Sequence, residues 1–553
     1  MEKVWLKSYL NGVPHEIDTS KYSSLADVLN QSFNRYGGRP AFHNMGTTIT
    51  FAELKEKSLK FASYLQNQLG LKEGARVALM MPNILQYPIA LYGILQAKMI
   101  AVNVNPLYTA RELQHQLVDA GAETIVVFAN AAKLVEEVRS AAGLKHVIVT
   151  QLGDQLSFPK NYVVNFVIKN IKKMVPDYNI SDAISFNDTL RDGDQSKFNK
   201  PSIAAQDIAF LQYTGGTTGV SKGAVLTHGN MVSNLMQASG WIDSLIKAGE
   251  GIVITALPLY HIFSLLANCL LFSSRGGLNV LITNPRDMPG FVKELSKWKF
   301  TAMTGVNTLF NGLLHTPGFS DLDFSHLRLT LGGGMAVQKT VAEKWKEVTG
   351  GVLLEAYGLT ETSPAACMNP VNLQDYNGTV GLPLPSTEVA ILSEDNKELS
   401  IGEVGEIAIR GPQVMQGYWQ RPEETAKVMT ADGYFKTGDI GVMDPNGFVK
   451  LVDRKKDMIL VSGFNVFPNE IEDVVATHPG VLEVAAIGVP CEKSGEVVKL
   501  FVVKKDENLT EVELKAFCKK ELTGYKVPKH YEFRSELPKT NVGKILRREL
   551  RPD

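Results

Sequence analysis

Amphipathic helical segments alternate with short apolar segments along roughly the first 450 residues of the 553-residue chain. Residues 24–37 and 50–70 have apolar side chains at the spacing of one helix face, whereas 76–83 and 124–130 are compact apolar runs typical of buried strands. Because strands joined by helices pair in parallel, this alternation predicts an α/β fold with a mostly parallel sheet and helices on both faces.

The pattern changes near the charged segment Asp453–Met458, which follows turn residues at 445–447 that predict a hairpin. The remaining ~100 residues have strands and helices of their own, as in a compact α+β module. We therefore place a domain boundary at Asp453. A large α/β domain of several subdomains covers 1–452, and a small, mobile α+β domain covers 453–553. A polar joint between two folded bodies suits a hinge.

Composition excludes some classes of function. The formal net charge is −1, so no overall positive field attracts nucleic acid, and we expect no nucleic-acid partner. The four cysteines form no Cys-x-x-Cys pair and no metal-ligand spacing, which is typical of a reducing compartment. The first twenty residues lack the continuous apolar stretch of a signal peptide, so we expect a cytoplasmic location.

One apolar segment is long enough to span a bilayer. Residues 251–274 contain no Asp, Glu, Lys or Arg. Their first part is β-branched and ends at Pro258, and the second part is shorter and helix-like. This division favours a buried strand followed by a buried helix over a membrane span.

A second segment, residues 161–178, predicts an amphipathic helix beside three lysines, Lys169, Lys172 and Lys173. The apolar residues at helical spacing are Val164, Ile168, Ile171 and Val175. Packing against the body of the protein and docking on an anionic bilayer are both compatible with this pattern.

A glycine-rich segment, Tyr213–Ala224 (YTGGTTGVSKGA), has the composition of a phosphate-binding loop. Glycines let backbone N–H groups crowd around an anion, and hydroxyls and Lys222 add donors and positive charge. It is not a Walker A loop, because Ser221 precedes the lysine and Gly223 follows it. Apolar runs on both sides predict that the loop joins two strands, with a helix only after Thr227. A plain flexible turn is the alternative.

Further motifs follow in order along the chain. They are GGGMAV (332–337), YGLTE (357–361), TGD (437–439), DRKKD (453–457) and PKTNVGKILRREL (538–550). Together with the glycine-rich loop they resemble the motifs of the adenylate-forming, or AMP-binding, superfamily, and the resemblance spans nearly the whole chain. The segments at 432–456 and 257–265 are similar to fatty-acyl-CoA synthetases, in particular to bacterial long-chain fatty-acid–CoA ligases.

The resemblance implies a ligase reaction in two steps. A fatty acid and ATP give an acyl-adenylate and pyrophosphate, and the CoA thiolate then displaces AMP to form the thioester. The implied partners are a long-chain fatty acid, ATP and CoA, with Mg²⁺ as the cofactor. Medium-chain or aromatic acids as substrates, and a catalytically silent scaffold, are alternatives. A homodimer and peripheral contact with the inner face of the cytoplasmic membrane are compatible with the sequence.

The resemblance also implies catalytic roles. Lys544 would bridge the carboxylate and the α-phosphate, Lys222 would bind the phosphates, and Glu361 with Thr217 would hold Mg²⁺. Cations suit these positions because two anions must be brought together. At ~4 Å and an effective dielectric constant near ~20, one cation offsets roughly 4 kcal/mol of repulsion.

For the nucleotide, Asp439 would accept both ribose hydroxyls beside Arg454, and Tyr357 would stack on adenine. Gly333 and Gly334 would let the backbone approach the base. The ATP-binding residues that the resemblance implies are Tyr213, Thr214, Gly215, Gly216, Thr217, Thr218, Gly219, Val220, Ser221, Lys222, Gly223, Ala224, Gly333, Gly334, Tyr357, Gly358, Thr360, Asp439 and Arg454.

For the second step, the family rotates its C-terminal domain, and Asp453 lies at the hinge position. Ser462, Gly463 and Phe464 match the loop that enters the pantetheine channel. His261 is expected to start a helix or form a gate rather than to act as a base. The residues that match the acyl tunnel are Tyr260, His261, Gly305 and Val306.

Overall fold

The structure is a computed structural model that describes residues 3–214, 221–462, 464–491, 494–540 and 543–551. Its strands are β1 (Pro40–Asn44), β2 (Thr47–Thr50), β3 (Arg76–Met80), β4 (Ile100–Asn103), β5 (Thr124–Phe128), β6 (His146–Thr150), β7 (Ile184–Ser185), β8 (Ile208–Thr214), β9 (Lys222–Thr227), β10 (Ile252–Thr255), β11 (Leu278–Leu281), β12 (Ala302–Gly305), β13 (Leu329–Gly332), β14 (Leu353–Gly358), β15 (Ala365–Met368), β16 (Leu382–Pro383), β17 (Glu388–Leu392), β18 (Gly405–Arg410), β19 (Gly417–Tyr418), β20 (Phe435–Met443), β21 (Val449–Arg454), β22 (Ile459–Val461), β23 (Phe464–Val466), β24 (Val481–Cys491), β25 (Gly495–Lys504) and β26 (His530–Arg534).

The α-helices are α1 (Leu25–Tyr36), α2 (Phe51–Asn67), α3 (Gln86–Gln96), α4 (Ala110–Ala120), α5 (Ala132–Ala142), α6 (Lys160–Phe166), α7 (Phe186–Asp192), α8 (His228–Ile242), α9 (Ile262–Ser264), α10 (Leu271–Ser274), α11 (Met288–Leu295), α12 (Asn307–Leu314), α13 (Lys339–Thr349), α14 (Pro422–Val428), α15 (Pro468–Ala476) and α16 (Glu511–Glu521).

Two large sheets form the main body. One has nine strands in the order β16-β15-β14-β13-β12-β10-β11-β1-β2, and the other has eight in the order β19-β9-β8-β4-β3-β5-β6-β7. The central strands of both sheets pair in parallel, and antiparallel pairs occur toward the ends. The predicted α/β fold is therefore confirmed, and it is built from two parallel-centred sheets rather than one.

A shared hydrophobic cluster packs the two sheets together through helices α1–α3 and α8. It contains Phe42 of β1 and Phe210 of β8, both fully buried, and a buried side chain of this size contributes about 2–3 kcal/mol. The Tyr87 hydroxyl donates to Leu259 O at 2.9 Å, in the loop after β10. The start of α3 and that loop are thereby fixed relative to each other.

Strands β17, β18, β20 and β21 form an antiparallel sheet with residues such as Ile391 and Ile407 in the core of the main body. Strand β21 leads into the C-terminal part, from residue 453 onward, which has its own five-stranded sheet of β22–β26. Helices α15 and α16 pack on that second sheet with a separate buried cluster that includes Val466, Ile471 and Leu514. Residues 459–534 thus have the α+β arrangement that the sequence predicts.

The apolar segment 251–274 is buried inside the main body, as predicted. It forms strand β10 and then a helix in which a π-helical turn, Leu265–Leu270, separates α9 from α10. Among the helices of the residues described, none combines the length and apolar character that a bilayer crossing requires.

The helix predicted over 161–178 is shorter than expected. It comprises α6 and one π-helical turn, Val167–Ile171, and residues 172–178 are not helical. Val164, Ile168 and Val175 are half-buried against the body, but Ile171 is exposed. Three of the four apolar residues at helical spacing are thus half-buried, and Ile171 faces outward because the π turn shifts the helical register.

Candidate active site

The glycine-rich loop connects the antiparallel strands β8 and β9, as the sequence predicts. Tyr213 pairs with Gly223 and Thr214 with Lys222. The Thr227 hydroxyl caps α8 by accepting from the Asn230 N–H at 3.0 Å, which confirms the predicted helix start. Six residues assigned to ATP binding lie outside the described residues: Gly215, Gly216, Thr217, Thr218, Gly219 and Val220.

The two ends of this loop are held by hydrogen bonds. The Ser221 hydroxyl donates to Thr214 O at 2.5 Å, and Ser221 O lies 3.1 Å from His115 Nε2. The buried Tyr213 hydroxyl donates to Asp119 Oδ2 at 2.6 Å. Ala224 is fully buried. In this structure Tyr213 and Ala224 hold the hairpin in place, so their described contacts are structural.

Lys222 lies in a chain of charged and aromatic groups. Its Nζ donates to Glu424 Oε2 at 2.5 Å and lies 4.9 Å from the centre of the Tyr418 ring. The Tyr418 hydroxyl in turn donates to Glu361 Oε1 at 2.7 Å. The Lys222 ammonium holds the pKa of Glu424 down at about 2. Tyr418 therefore joins the two groups that the sequence assigns to the phosphates and to Mg²⁺.

Glu361 lies on the short turn Thr360–Thr362 that follows β14, whose last residue is Gly358. Its side chain is buried, and burial raises its pKa, although the Tyr418 hydrogen bond and the Lys222 charge act in the opposite direction. A buried carboxylate near Lys222 has the hard oxygen chemistry that Mg²⁺ prefers. Within the described residues there is no cluster of three metal-ligating side chains.

Tyr357, Asp439 and Arg454 come together although they lie on three different strands. The Tyr357 hydroxyl donates to Asp439 Oδ2 at 2.7 Å, and Arg454 Nε lies 3.6 Å from Asp439 Oδ1. Asp439 and Arg454 are register partners across the β20–β21 hairpin. Tyr357 and Asp439 are both buried. The sequence predicts a nucleotide role for all three, and the structure places them in one contact group.

The Lys544 loop of the C-terminal part contacts the main body. The Thr308 hydroxyl donates to Gly543 O at 3.0 Å. Gly543 has a φ of +81°, and a Cβ there would lie 2.6 Å from Thr308 Oγ1 and 3.1 Å from Val306 Cγ2. Only glycine fits this close approach without displacing its neighbours.

Lys544 is thereby placed between the nucleotide residues and the acyl residues. Burial lowers its pKa to about 7, and nearby Arg454 adds to this, while Asp439 acts in the opposite direction. Burial together with the Lys544 charge lowers the pKa of His261 to about 4. His261 is therefore neutral at physiological pH. The charge of Asp439 thus acts on Lys544, and the charge of Lys544 acts on His261.

The predicted acyl residues follow the strands of the nine-stranded sheet. His261 Nδ1 accepts from the Phe263 N–H at 3.3 Å, so His261 caps a helix, which is one of the two roles expected for it. Tyr260 O accepts from Gln212 Nε2 of β8 at 2.8 Å. Gly305 ends β12, and Val306 after it is buried. The tunnel itself stays a prediction.

Gly333 and Gly334 lie directly after β13, beside the same region. A Cβ on Gly333 would lie 3.1 Å from the Phe263 ring and 3.2 Å from Ala356 O. Gly334 has a φ of +77°. The adenine role of these glycines stays a prediction, and the contacts of Gly333 place it between α9 and β14.

The residues assigned to CoA are on the small sheet of the C-terminal part. The Ser462 N–H donates to Ser494 O at 2.7 Å, and the exposed Phe464 ring stacks on Tyr525 at 4.6 Å. Gly463 lies outside the described residues. These contacts stay within the C-terminal part, so the structure has Lys544 rather than Phe464 docked on the main body.

Asp453 is more buried than the sequence predicts. The sequence predicts a polar, charged joint, but Asp453 is fully buried. Its carboxylate accepts from the Arg454 N–H at 2.7 Å and the Asn469 N–H at 2.8 Å, and burial raises its pKa to about 6. Asp453 thus connects β21 to the start of α15, and its hinge role stays a prediction.

Models of the AMP-binding enzyme family match residues 29–419, and models of the AMP-binding enzyme C-terminal domain match residues 470–544. The chain belongs to the AMP-binding enzyme family. It is 60% identical to a long-chain-fatty-acid–CoA ligase of Yersinia pestis and 59% identical to one of Escherichia coli O157:H7, in each case over 100% of this chain and 98% of the relative. The crystal structure of ATP-bound MatB from Rhodopseudomonas palustris gives a TM-score of 0.82 at 28% identity, covering 95% of this chain and 98% of that one.

Tyr418 and Glu424 were not identified from the sequence, and Tyr418 provides a test of the site. In Tyr418→Phe the ring below Lys222 remains, but Glu361 loses a hydrogen bond that favours its ionised form. The pKa of Glu361 should rise further, because the hydrogen bond that lowers it is lost. We expect the acid limb of the pH profile of pyrophosphate release to move to higher pH, with a larger loss at pH ~6 than at pH ~8.

The matched control is Tyr434→Phe, which removes a hydroxyl that donates to Glu388 at 3.1 Å and contacts none of the residues above. Its pH profile should match that of the unmodified protein. Identical profiles for the Tyr418 and Tyr434 variants would contradict the coupling between Tyr418 and Glu361.

Proposed function

We propose that the protein is a long-chain-fatty-acid–CoA ligase that uses ATP and forms an acyl-adenylate. The observation that carries the proposal is the contact of the Lys544 loop with the main body, in which the Thr308 hydroxyl donates to Gly543 O at 3.0 Å and the charge of Lys544 influences His261. Full-length identity of 59–60% to long-chain-fatty-acid–CoA ligases supports the substrate class. This identity favours long-chain acids over medium-chain or aromatic acids as substrates. The presence of Lys222, Glu361 and Lys544 argues against a catalytically silent scaffold.

In the first step, a fatty-acid carboxylate oxygen attacks the α-phosphorus of ATP, and the bond to pyrophosphate breaks. Lys222 neutralises the phosphates at the loop, and Lys544 lies where the carboxylate meets the α-phosphate. The hydroxyls of the ribose are held by Asp439, which Tyr357 and Arg454 orient. Glu361 would share Mg²⁺ with the phosphates, and that ion would supply further neutralisation of charge.

In the second step, the CoA thiolate attacks the acyl carbonyl, and the bond from the carbonyl carbon to AMP breaks. We propose that the C-terminal domain, residues 453–553, rotates about Asp453 for this step. The Lys544 loop then leaves the main body, and the loop at Ser462 and Phe464 takes a position beside the thiol. Support comes from the exposure of Phe464, from the separate core of this domain and from the small contact at Gly543.

We also propose that the protein works in the cytoplasm and contacts a membrane surface, because long-chain acids partition into bilayers and must be collected there. Self-association as a homodimer is a further proposal. The direct test of the activity is release of pyrophosphate with palmitate, ATP and Mg²⁺, followed by thioester formation with CoA. No release with any fatty acid would overturn the proposed function.

Replacing Lys544 should affect the two half-reactions differently. Lys544→Ala should slow adenylation about a thousandfold, because one cation at ~4 Å offsets roughly 4 kcal/mol. Thioester formation from supplied acyl-adenylate and CoA should stay near the normal rate. The control is Lys539→Ala in the same loop, whose Nζ pairs with Glu483 at 2.6 Å. Equal loss of both half-reactions in the Lys544 variant would refute the assignment.

A disulfide tests the rotation. A Cβ on Gly543 would lie 3.9 Å from Thr308 Cβ, within the ~3.5–4.5 Å range that disulfides require. The substitution Thr308→Cys removes the hydroxyl oxygen that a Cβ on Gly543 would meet, and oxidation of Thr308→Cys/Gly543→Cys should then lock Lys544 at the main body. A single round of adenylation should then persist while thioester formation falls about a hundredfold or more, since the thiol is excluded.

The reduced double variant and Thr308→Cys alone are the controls for this experiment. Reduction should restore the thioester step to the rate of the unoxidised double variant. Thioester formation at an undiminished rate in the fully oxidised protein would contradict the rotation.

A further inference from the structure

Large apolar side chains are exposed together on the segment that contains α6. Of the twelve such side chains among the described residues, six fall within residues 158–174. We call these the α6 surface: Phe158, Tyr162, Val163, Phe166, Ile171 and Met174. Single exposed apolar residues are normal on a soluble protein, but a group of this kind marks a contact site.

The geometry of the helix produces this group. Tyr162 and Phe166 are four residues apart on α6, and the π turn that follows is closed by a hydrogen bond from the Lys172 N–H to Val167 O at 2.8 Å. With about five residues in that wider turn, Ile171 returns to the face of Phe166. The rings of Phe158 and Tyr162 pack edge to face at 6.2 Å. Phe158, Tyr162, Phe166 and Ile171 therefore lie along one face.

Polar contacts hold the segment against the main body, so its outer face has a defined orientation. The Ser157 N–H donates to Thr47 Oγ1 at 2.9 Å, and the Gly153 N–H donates to Asn165 Oδ1 at 2.7 Å. Lys160 Nζ donates to Met45 O in the β1–β2 turn. The inner residues Val164 and Ile168 are half-buried. The α6 surface is thus presented by a fixed element.

The charge around this surface has one sign. Lys169, Lys172 and Lys173 are exposed, and the chain has no Asp or Glu from 158 to 176. An amphipathic helix with aromatic residues and lysines of this kind lies in the interface of an anionic bilayer. A two-fold dimer through the same face would place these lysines opposite the same lysines of the second copy, which is unfavourable.

We propose that the α6 surface docks on an anionic lipid bilayer. Phe166 and its apolar neighbours enter the boundary between headgroups and acyl chains, and the three lysines contact lipid phosphates. This inference rests on the proposed membrane contact, and not on the roles assigned to active-site residues. Docking at this face brings the enzyme to the phase in which a long-chain acid is concentrated.

The test uses the full chain in flotation with vesicles of phosphatidylcholine containing about a third phosphatidylglycerol, and with vesicles of phosphatidylcholine alone. The unmodified protein should float with the anionic vesicles, and less so as salt rises. Lys169→Gln/Lys172→Gln/Lys173→Gln should lower the partition coefficient about a hundredfold, and Phe166→Ser/Ile171→Ser about tenfold or more.

Two control variants remove the same kinds of side chain, exposed lysines and an exposed apolar residue, elsewhere on the protein. Lys339→Gln/Lys344→Gln/Lys519→Gln removes three exposed charges, and Val512→Ser removes an exposed apolar side chain. Both should leave flotation unchanged. All variants should release pyrophosphate at the normal rate with palmitate presented in detergent micelles without vesicles, which verifies folding. A protein that floats but releases no pyrophosphate with any acid would overturn the proposed function and not the docking surface.

Two results would overturn the inference. One is an absence of flotation, or flotation that the α6 variants leave unchanged. The other is a dimer in sedimentation, without vesicle binding, that Phe166→Ser/Ile171→Ser converts to monomer, because the α6 surface would then be an interface between copies.

Discussion

Repulsion between a carboxylate and a triphosphate is the constraint on which the arrangement of this protein depends. Neither anion can be brought to the other without cations already in place. In the proposed reaction they come from two parts of the chain, Lys222 on β9 and Lys544 on a loop near the end of the chain. Each lysine is placed by packing, Lys222 over the Tyr418 ring and Lys544 through the close approach of Gly543 to Thr308 and Val306.

This placement has an electrostatic cost that substrates can relieve. Burial and the nearby charges of Arg454, Lys456 and Arg547 lower the pKa of Lys544 to about 7. A cation held in such surroundings is stabilised by any anion that enters, so binding of ATP and the acid favours the charged lysine. For Lys222 the anion already present is Glu424, whose Oε2 accepts a hydrogen bond from the Lys222 ammonium at 2.5 Å. Phosphate oxygens can replace this carboxylate.

Because the two lysines lie on different parts of the chain, the proposed chemistry is coupled to movement of the C-terminal domain. A lysine supplied by the C-terminal domain can be withdrawn after the first step, whereas one on β9 cannot. The described contacts of the Lys544 loop with the main body centre on one hydrogen bond, Thr308 to Gly543, which is small enough to break in each cycle. Asp453 joins the parts through two backbone hydrogen bonds inside a buried pocket, which guides the chain path between them.

Local sequence patterns predicted the strands, the β8–β9 hairpin and the Thr227 cap because neighbours in sequence determine these features. Tyr418 and Glu424 had no such signal. Tyr418 meets Glu361 across 57 residues and Glu424 meets Lys222 across 202, so only the folded sheet order brings them together. The exposure of the Ile171 side chain and the burial of Asp453 likewise depend on packing in the folded protein rather than on local composition.

The central claim is that the positive charge of Lys544, rather than its shape, drives adenylation. It is tested by alkylating Lys544→Cys in a Cys491→Ser background, where the remaining native thiols, Cys269, Cys367 and Cys518, are buried. Adding an aminoethyl group to the thiol restores an ammonium at nearly the length of lysine, whereas a carboxamidomethyl group is neutral. We predict that the aminoethylated protein forms acyl-adenylate at a rate near that of the Cys491→Ser protein and that the neutral adduct does not. Equal recovery with both groups, or with neither, would contradict the claim.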